Sequence, residues 1–81
     1  MIDAQAITER LKVAFPDATV ELTDLTGGQD HWKALIVTAA FEGKSPIARH
    51  RAVYAALVEE MKGPIHALTL TTLTPTEPRP A

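Results

Sequence analysis

Prolines and glycines divide this 81-residue chain into short segments that must share one core. Pro16 follows a helical pattern, Gly27-Gly28 separates two β-rich segments, and Gly63-Pro64 precedes the last one. Proline cannot continue a helical hydrogen-bond ladder, and glycine supplies the backbone angles that turns require. A chain of this length supports one domain with a modest core, without a cleft between two lobes.

The first segment has the pattern of a helix over about residues 4–14. Asp3 is placed as the N-cap, and Ile2 before it is positioned to pack on Ile7 as a hydrophobic staple. Phe15-Pro16 ends the pattern, because proline disfavours helical geometry in the residue before it. The apolar stripe of this helix is Ile7, Leu11 and Phe15.

A second helix has clear start and stop signals. Ser45 is a good N-cap, Pro46 suits the first helical position, and Gly63 is placed for a left-handed C-terminal residue. Apolar and aromatic residues recur between these signals at three- and four-residue steps, which predicts the face that packs on the core. The members of this predicted face are Ile47, His50, Tyr54, Leu57 and Met61.

Three segments read as strands, at about residues 19–23, 32–38 and 66–73. The first and last alternate polar and apolar residues, whereas the second is apolar on both faces. The element order is therefore α-β-β-α-β, which predicts an α+β domain with both helices on one face of a three-stranded sheet. We expect a single domain over residues 1–75 and a mobile, proline-rich tail over residues 76–81.

Composition narrows the possible functions. The chain has no cysteine, so it forms no disulfide and supplies no thiolate to a metal. A net charge of −2 gives no general attraction to nucleic acid. Apolar runs fall short of the roughly 20 residues that span a bilayer, and the N-terminus lacks a signal-peptide pattern. We therefore expect a soluble, cytoplasmic protein that makes no membrane contact.

Two nucleotide-binding patterns are incomplete. Gly43-Lys44-Ser45 matches the end of a phosphate-binding loop, but Thr38 stands where its first glycine belongs. The glycine-x-x-glycine loop of KH domains is also missing, because Pro46 lies three residues after Gly43. Neither a nucleophile elbow nor a suggestive pair of carboxylates is present. The sequence predicts no catalysis.

Three histidines are the candidate metal ligands. His66 begins the last predicted strand at the rim of its buried face, and it suits either a structural hydrogen bond or a ligand with one outward nitrogen. His31 follows the turn between the first two strands, and Gln29 and Asp30 beside it stay open as alternatives. His50 lies on the predicted core face of the second helix. We expect His50 to pack and hydrogen-bond rather than to bind metal.

Two stretches, EGKSPIARHRAVYAAL at residues 42–57 and GPIHAL at residues 63–68, make the chain resemble the BolA family. The resemblance runs from the first helix to about Pro75. It implies a class II KH-like topology, with an extra helical turn near residues 43–47. It also implies that His66 is the hallmark iron–sulfur ligand, and that the loop holding His31 supplies a second ligand, which is cysteine in some members and histidine in others.

The function implied by this resemblance is that of a non-enzymatic adaptor. A monothiol (CGFS-type) glutaredoxin and its glutathione would share a [2Fe–2S] cluster with His66 and His31, for cluster assembly, trafficking or iron sensing. We expect a monomer alone and a heterodimer with the partner. Two imidazoles are too few for a closed zinc site, which usually has four protein ligands, but they suit half of a shared site.

The alternative function is transcriptional regulation, because BolA proteins are also described as stress and morphology regulators. Lys44, Arg49 and Arg51 form a basic segment at the start of the second helix, where DNA phosphates can bind. We expect Arg49 and Arg51 to be available to a partner. Nothing in the segment supplies base-edge specificity, so a solvated basic face remains the other interpretation.

Overall fold

The computed structural model describes residues 1–80 and has the predicted order of elements. Two short 3₁₀ turns accompany the main elements, one after the second strand and one after the second helix. The main elements are α1 (Ala4–Ala14), β1 (Thr19–Asp24), β2 (His31–Val37), α2 (Pro46–Ala56) and β3 (Ala67–Leu73), and the 3₁₀ turns are Ala39–Phe41 and Glu60–Lys62.

The three strands form one mixed sheet in the order β1-β2-β3. β1 pairs with β2 in antiparallel register, with Asp24 opposite Trp32 beside the connecting loop. β3 pairs with β2 in parallel register, with Ala67 opposite His31. A parallel neighbour requires a crossover connection, and α2 supplies it. Both β2 and β3 therefore begin at the same end of the sheet.

The core lies between the helices and one face of the sheet. Side chains on that face of β2 are buried, and both helices contribute fully buried aliphatic residues. The α+β class with both helices on one sheet face is confirmed. The buried apolar residues are Ile7, Leu11, Phe15, Ala18, Trp32, Ala34, Ile36, Phe41, Val53, Leu57 and Ile65.

α1 begins and ends as predicted. The Asp3 carboxylate accepts a hydrogen bond from the Ala6 N–H at 2.8 Å, which satisfies one of the free donors at the helix start. Ile2 packs against the core cluster that contains Ile7. The Phe15 N–H closes the last turn on the Leu11 carbonyl at 2.8 Å.

The predicted core face of α2 is wrong in part. Ile47 is 66 % exposed and Tyr54 is 41 % exposed, whereas Val53 and Leu57 are fully buried. At 3.6 residues per turn, Tyr54 and Ile47 lie about 100° and about 120° around the axis from Val53. Arg49 lies only about 40° from Val53, so the helix turns a cationic residue toward the protein and two apolar residues outward.

The end of α2 and the extra helical turn also differ from the predictions. The helix ends at Ala56, and Gly63 has φ −163°, an extended conformation rather than a left-handed one. The extra turn lies at Ala39–Phe41, earlier than the predicted residues 43–47. Asp17 explains its position, because that carboxylate accepts hydrogen bonds from the Thr38 hydroxyl and from the Ala39 N–H.

Two residues beyond Pro75 contact the domain. Glu77 binds Arg49 of α2, and Arg79 binds Glu21 on the sheet face away from the helices. The mobility of the tail stays a prediction, and Ala81 lies outside the described residues. Among residues 1–80, no helix combines the length and apolar character needed to cross a bilayer.

Leu57→Ala and Ile47→Ala test the corrected orientation of α2. Leu57→Ala should lower the free energy of unfolding by about 2–5 kcal/mol, because it leaves a cavity in the core. Ile47→Ala should change the free energy by less than about 0.5 kcal/mol, because this residue is mostly exposed. Guanidinium unfolding monitored by circular dichroism measures both, and equal losses would contradict this orientation.

Candidate metal centre

Two histidines that are distant in sequence lie side by side where β2 and β3 begin. Their ring centroids are 5.9 Å apart, and the rings are nearly perpendicular at 82°. The Asp30 carbonyl accepts hydrogen bonds from the N–H groups of His66 and Ala67, at 2.7 and 3.3 Å. These bonds fix the start of β3 beside the start of β2. His31 and His66 therefore share one edge of the protein.

A carboxylate organises the loop that precedes His31. Asp24 accepts backbone hydrogen bonds from Thr26 at 3.3 Å, Gly27 at 2.9 Å and Gln29 at 3.2 Å. Gly27 and Gln29 both have positive φ, at 81° and 57°, which a tight turn of this kind requires. The Ile2 N–H binds the Gln29 carbonyl at 2.9 Å. The loop is thus held to both β1 and the chain before α1.

The carboxylate of Asp30 lies between the two imidazoles. One oxygen is 2.8 Å from Nδ1 of His31 and the other is 3.7 Å from Nδ1 of His66. The hydroxyl of Thr26 donates to the first oxygen at 3.2 Å. The hydrogen bond from His31 holds the pKa of Asp30 below its ordinary value, with smaller help from Thr26.

The ionised Asp30 carboxylate determines which nitrogen of His31 carries the proton. A carboxylate can only accept hydrogen bonds, so Nδ1 of His31 is the donor. In the neutral ring this leaves the Nε2 lone pair free. The side chain of His31 is 41 % exposed and that of His66 is 64 % exposed. Both imidazoles are accessible to a partner or an ion.

The structure brings together the two histidines named from the sequence and adds Asp30, which the sequence left as an alternative. Gln29, the other alternative, contacts the loop through its backbone. His66 is more exposed than expected for the rim of a buried face. Two accessible imidazoles at one edge of the protein fit half of a [2Fe–2S] ligand set whose other half comes from elsewhere. Ligation by His66 and His31 stays a prediction.

A family model described as BolA-like protein matches residues 7–77. The chain belongs to the BolA family. "BolA-like protein 1" of Homo sapiens is 40 % identical over 79 residues, covering 89 % of this chain. The match spans 58 % of that relative's length, so the human protein is considerably longer than the shared region.

Two further BolA relatives extend the comparison. The "DNA-binding transcriptional regulator BolA" of Escherichia coli is 33 % identical over 81 residues, covering 91 % of this chain and 77 % of its own length. The solved structure of BolA1 from Arabidopsis thaliana superposes with a TM-score of 0.86 at 28 % identity, covering 98 % of this chain and all of that one. The BolA-type topology expected from the resemblance is therefore confirmed.

The side chains of the consecutive residues Arg49, His50 and Arg51 point in different directions from α2. His50 is half-buried on the side of α2 that carries Val53, and Arg51 is exposed. The side chain of Arg49 is only 11 % exposed. Its guanidinium binds both carboxylate oxygens of Glu77 at 2.6 and 3.1 Å. The expectation that Arg49 is available to a partner is wrong.

Arg49 also bonds the backbone at two places. It donates to the Thr72 carbonyl at 3.1 Å and to the Lys44 carbonyl at 3.0 Å, and its guanidinium lies 6.0 Å from the Phe41 ring centroid. These contacts join α2 to β3 and to the turn after it. Sequence reasoning missed this role because Glu77 lies in a segment without periodicity. Lys44 and Arg51 remain exposed members of the basic segment.

Acid titration tests the Arg49–Glu77 pair. The hydrogen bond from Arg49 lowers the pKa of Glu77 to about 2, from 4.5. A depressed pKa means that the pair stabilises the fold above pH 4.5, and that this stabilisation is lost as the pH falls toward 2.

We expect Glu77→Gln to unfold more readily than the wild type at neutral pH, with a difference that shrinks in acid. Chemical unfolding at a series of pH values measures this difference. Glu59→Gln is the matched control, because Glu59 forms an exposed pair with Lys62. A difference for Glu77→Gln that stays constant down to the lowest pH would contradict the assignment.

Proposed function

We propose that this BolA-family protein is a non-enzymatic adaptor that binds a monothiol (CGFS-type) glutaredoxin and co-ligates a glutathione-containing [2Fe–2S] cluster. The observation that carries the proposal is that His31 and His66 lie side by side at one accessible edge, with their ring centroids 5.9 Å apart. The site serves cluster assembly, trafficking or iron sensing. It binds and hands over a cluster, and the chain performs no turnover chemistry of its own.

The ligand count supports a shared site. A [2Fe–2S] cluster takes four ligands, and two histidines can replace two cysteines on one iron. This chain has no cysteine and offers two adjacent imidazoles. In the arrangement implied by the family resemblance, the glutaredoxin cysteine and glutathione supply the two thiolates. The exposed position of both rings suits a site that a protein partner covers.

Asp30 prepares the histidines for this role. A carboxylate that accepts the Nδ1 proton of a histidine fixes the orientation of the ring and raises the basicity of Nε2. Asp30 accepts such a bond from His31 at 2.8 Å and lies 3.7 Å from Nδ1 of His66. Nε2 of His31 is then the nitrogen left free for a cluster. The loop bonds to Asp24 hold Asp30 in place.

Cluster reconstitution tests the adaptor. The purified protein is mixed with a monothiol glutaredoxin, glutathione, iron and sulfide, and the visible circular dichroism is compared with that of glutaredoxin alone. The wild type should give a new heterodimer spectrum, because imidazole ligation changes the electronic environment of one iron. His66→Ala should abolish that spectrum, and His31→Ala should abolish or alter it.

His50→Ala is the matched control, because it removes a histidine outside the candidate site. It should leave the heterodimer spectrum unchanged. Circular dichroism in the far ultraviolet checks that each variant is folded. If the wild type forms no complex and leaves the glutaredoxin spectrum unchanged, the adaptor proposal is wrong.

DNA binding is the second candidate function, and the name of the Escherichia coli relative favours it. Lys44 and Arg51 are exposed, and the N-terminus of α2 begins beside Lys44. Arg49 is engaged with Glu77, so two cations remain from the predicted set of three. Two phosphate contacts give weak, sequence-independent attraction.

The salt dependence of DNA binding tests this candidate. Two phosphate contacts predict a slope of about −1.8 for the logarithm of the binding constant against the logarithm of salt concentration. Lys44→Ala or Arg51→Ala should each reduce the slope by about 0.9. Lys62→Ala is a control because Lys62 lies outside the basic segment. Fluorescence anisotropy with a labelled duplex gives the slopes, and no binding at low salt would exclude the candidate.

A further inference from the structure

We propose that Asp30, His31 and His66 bind a single divalent transition-metal ion of the zinc class in the isolated protein, without a glutaredoxin. This site goes beyond the adaptor function and does not depend on it. The sequence offered two imidazoles, which are too few for a zinc site. The fold adds a carboxylate between them, which gives the three protein ligands typical of an open zinc site.

The distances between the three side chains suit one small ion. A ligand atom from each of the three lies within 4.8 Å of the other two. Zinc takes nitrogen and oxygen ligands at about 2.0–2.1 Å, so the ligand atoms of a tetrahedral site lie about 3.3 Å apart. The Asp30 oxygens are 2.8 Å from Nδ1 of His31 and 3.7 Å from Nδ1 of His66, on either side of that value.

Binding requires only side-chain movement. Asp30 and His31 are adjacent, and the Asp30 carbonyl binds the N–H of His66 at 2.7 Å, so all three backbones are already fixed together. The ligand atoms all lie within 4.8 Å of one another, so no separation has to close by more than about 1.5 Å to reach the tetrahedral value. The His66 side chain is 64 % exposed, which leaves its ring free to turn.

The donor set selects the class of ion. Two imidazoles with one carboxylate suit Zn²⁺, Co²⁺, Fe²⁺ and Ni²⁺, whereas Mg²⁺ and Ca²⁺ prefer oxygen ligands alone. Both histidines are solvent-accessible, so water completes the coordination and the site stays open on its outer side.

Asp30 has a different relation to His31 in the adaptor and in the isolated metal site. The difference lies in which nitrogen of His31 is the metal ligand. In the adaptor, Asp30 accepts the Nδ1 proton of His31 and leaves Nε2 as the ligand. In the isolated metal site, Nδ1 of His31 binds the ion beside Asp30. Its proton then moves through solvent to Nε2, and the ring stays neutral. Long-range ¹H–¹⁵N spectra of the histidines distinguish these two arrangements.

Metal titration of the isolated chain tests the site. Co²⁺ is the spectroscopic probe, with visible absorption as the readout, and Zn²⁺ binding is measured by calorimetry. Trp32 is the only tryptophan, it is buried, and it follows His31 in β2, so quenching of its fluorescence by Co²⁺ reports binding near the start of that strand. We expect one ion per chain, displacement of Co²⁺ by Zn²⁺, and no competition from Mg²⁺.

Five variants decide the ligand set. His31→Ala, His66→Ala and Asp30→Ala should each weaken binding by more than about 100-fold, which exceeds the 10–100-fold loss typical of a group that only orients a ligand. His50→Ala should bind like the wild type. Asp30→Asn keeps the size of the side chain and removes its charge, so it also serves if Asp30→Ala fails to fold.

Several results would overturn the proposal. One such result is the absence of a cobalt spectrum from the wild type at millimolar Co²⁺, and another is the binding of one ion per two chains. Full binding by Asp30→Asn would show that the carboxylate is not a ligand. Each of these results is independent of the adaptor, since no glutaredoxin is present. Conversely, a failed cluster reconstitution leaves the metal titration unaffected.

Discussion

The parallel pairing of β2 with β3 is the constraint on which the candidate site depends. Its first contacts are the hydrogen bonds that the N–H groups of His66 and Ala67 donate to the Asp30 carbonyl. Because α2 makes the crossover, residues far apart in sequence begin adjacent strands at one end of the sheet. A shift of the register by one residue would turn the strand's side chains to opposite faces and separate the imidazoles. The proposed cluster and metal sites therefore both depend on the strand register.

Aspartate carboxylates hold the loops and the start of α1 by hydrogen bonds, where the small core contributes little burial. Asp3 caps α1, Asp24 gathers three loop N–H groups, and Asp17 binds the Thr38 hydroxyl and the Ala39 N–H. Hydrogen bonds from Thr38 and Ala39 hold the pKa of Asp17 below its ordinary value. Each carboxylate satisfies backbone donors at a chain reversal, where unpaired groups are costly. Asp30 differs because its carboxylate faces side chains that can bind a metal.

The sequence predicted the features that depend on interactions between residues a few positions apart. The Asp3 and Ser45 caps, the break at Pro16 and the alternation in β1 all report interactions within a few residues, and each matched the structure. The side of α2 that faces the core depends on the rotation of that helix about its own axis. Arg49 contributes to this rotation through its hydrogen bonds to Glu77 and to the Thr72 carbonyl, and neither residue is near Arg49 in sequence. The approach of Asp30 to both imidazoles likewise depends on the register between β2 and β3. The periodicity of apolar residues in the sequence does not predict that register.

The candidate metal centre and the basic segment lie at opposite ends of the strands. Arg49 binds the carbonyl of Thr72, which pairs with Ile36, five residues along β2 from His31. At about 3.3 Å per residue, this separation is about 16 Å. A partner that covers His31 and His66 therefore need not cover Lys44, which precedes the start of α2. At these distances, one BolA chain has room for cluster binding and phosphate binding at the same time. If the complex with the partner lost DNA binding, the partner would have to extend along α2.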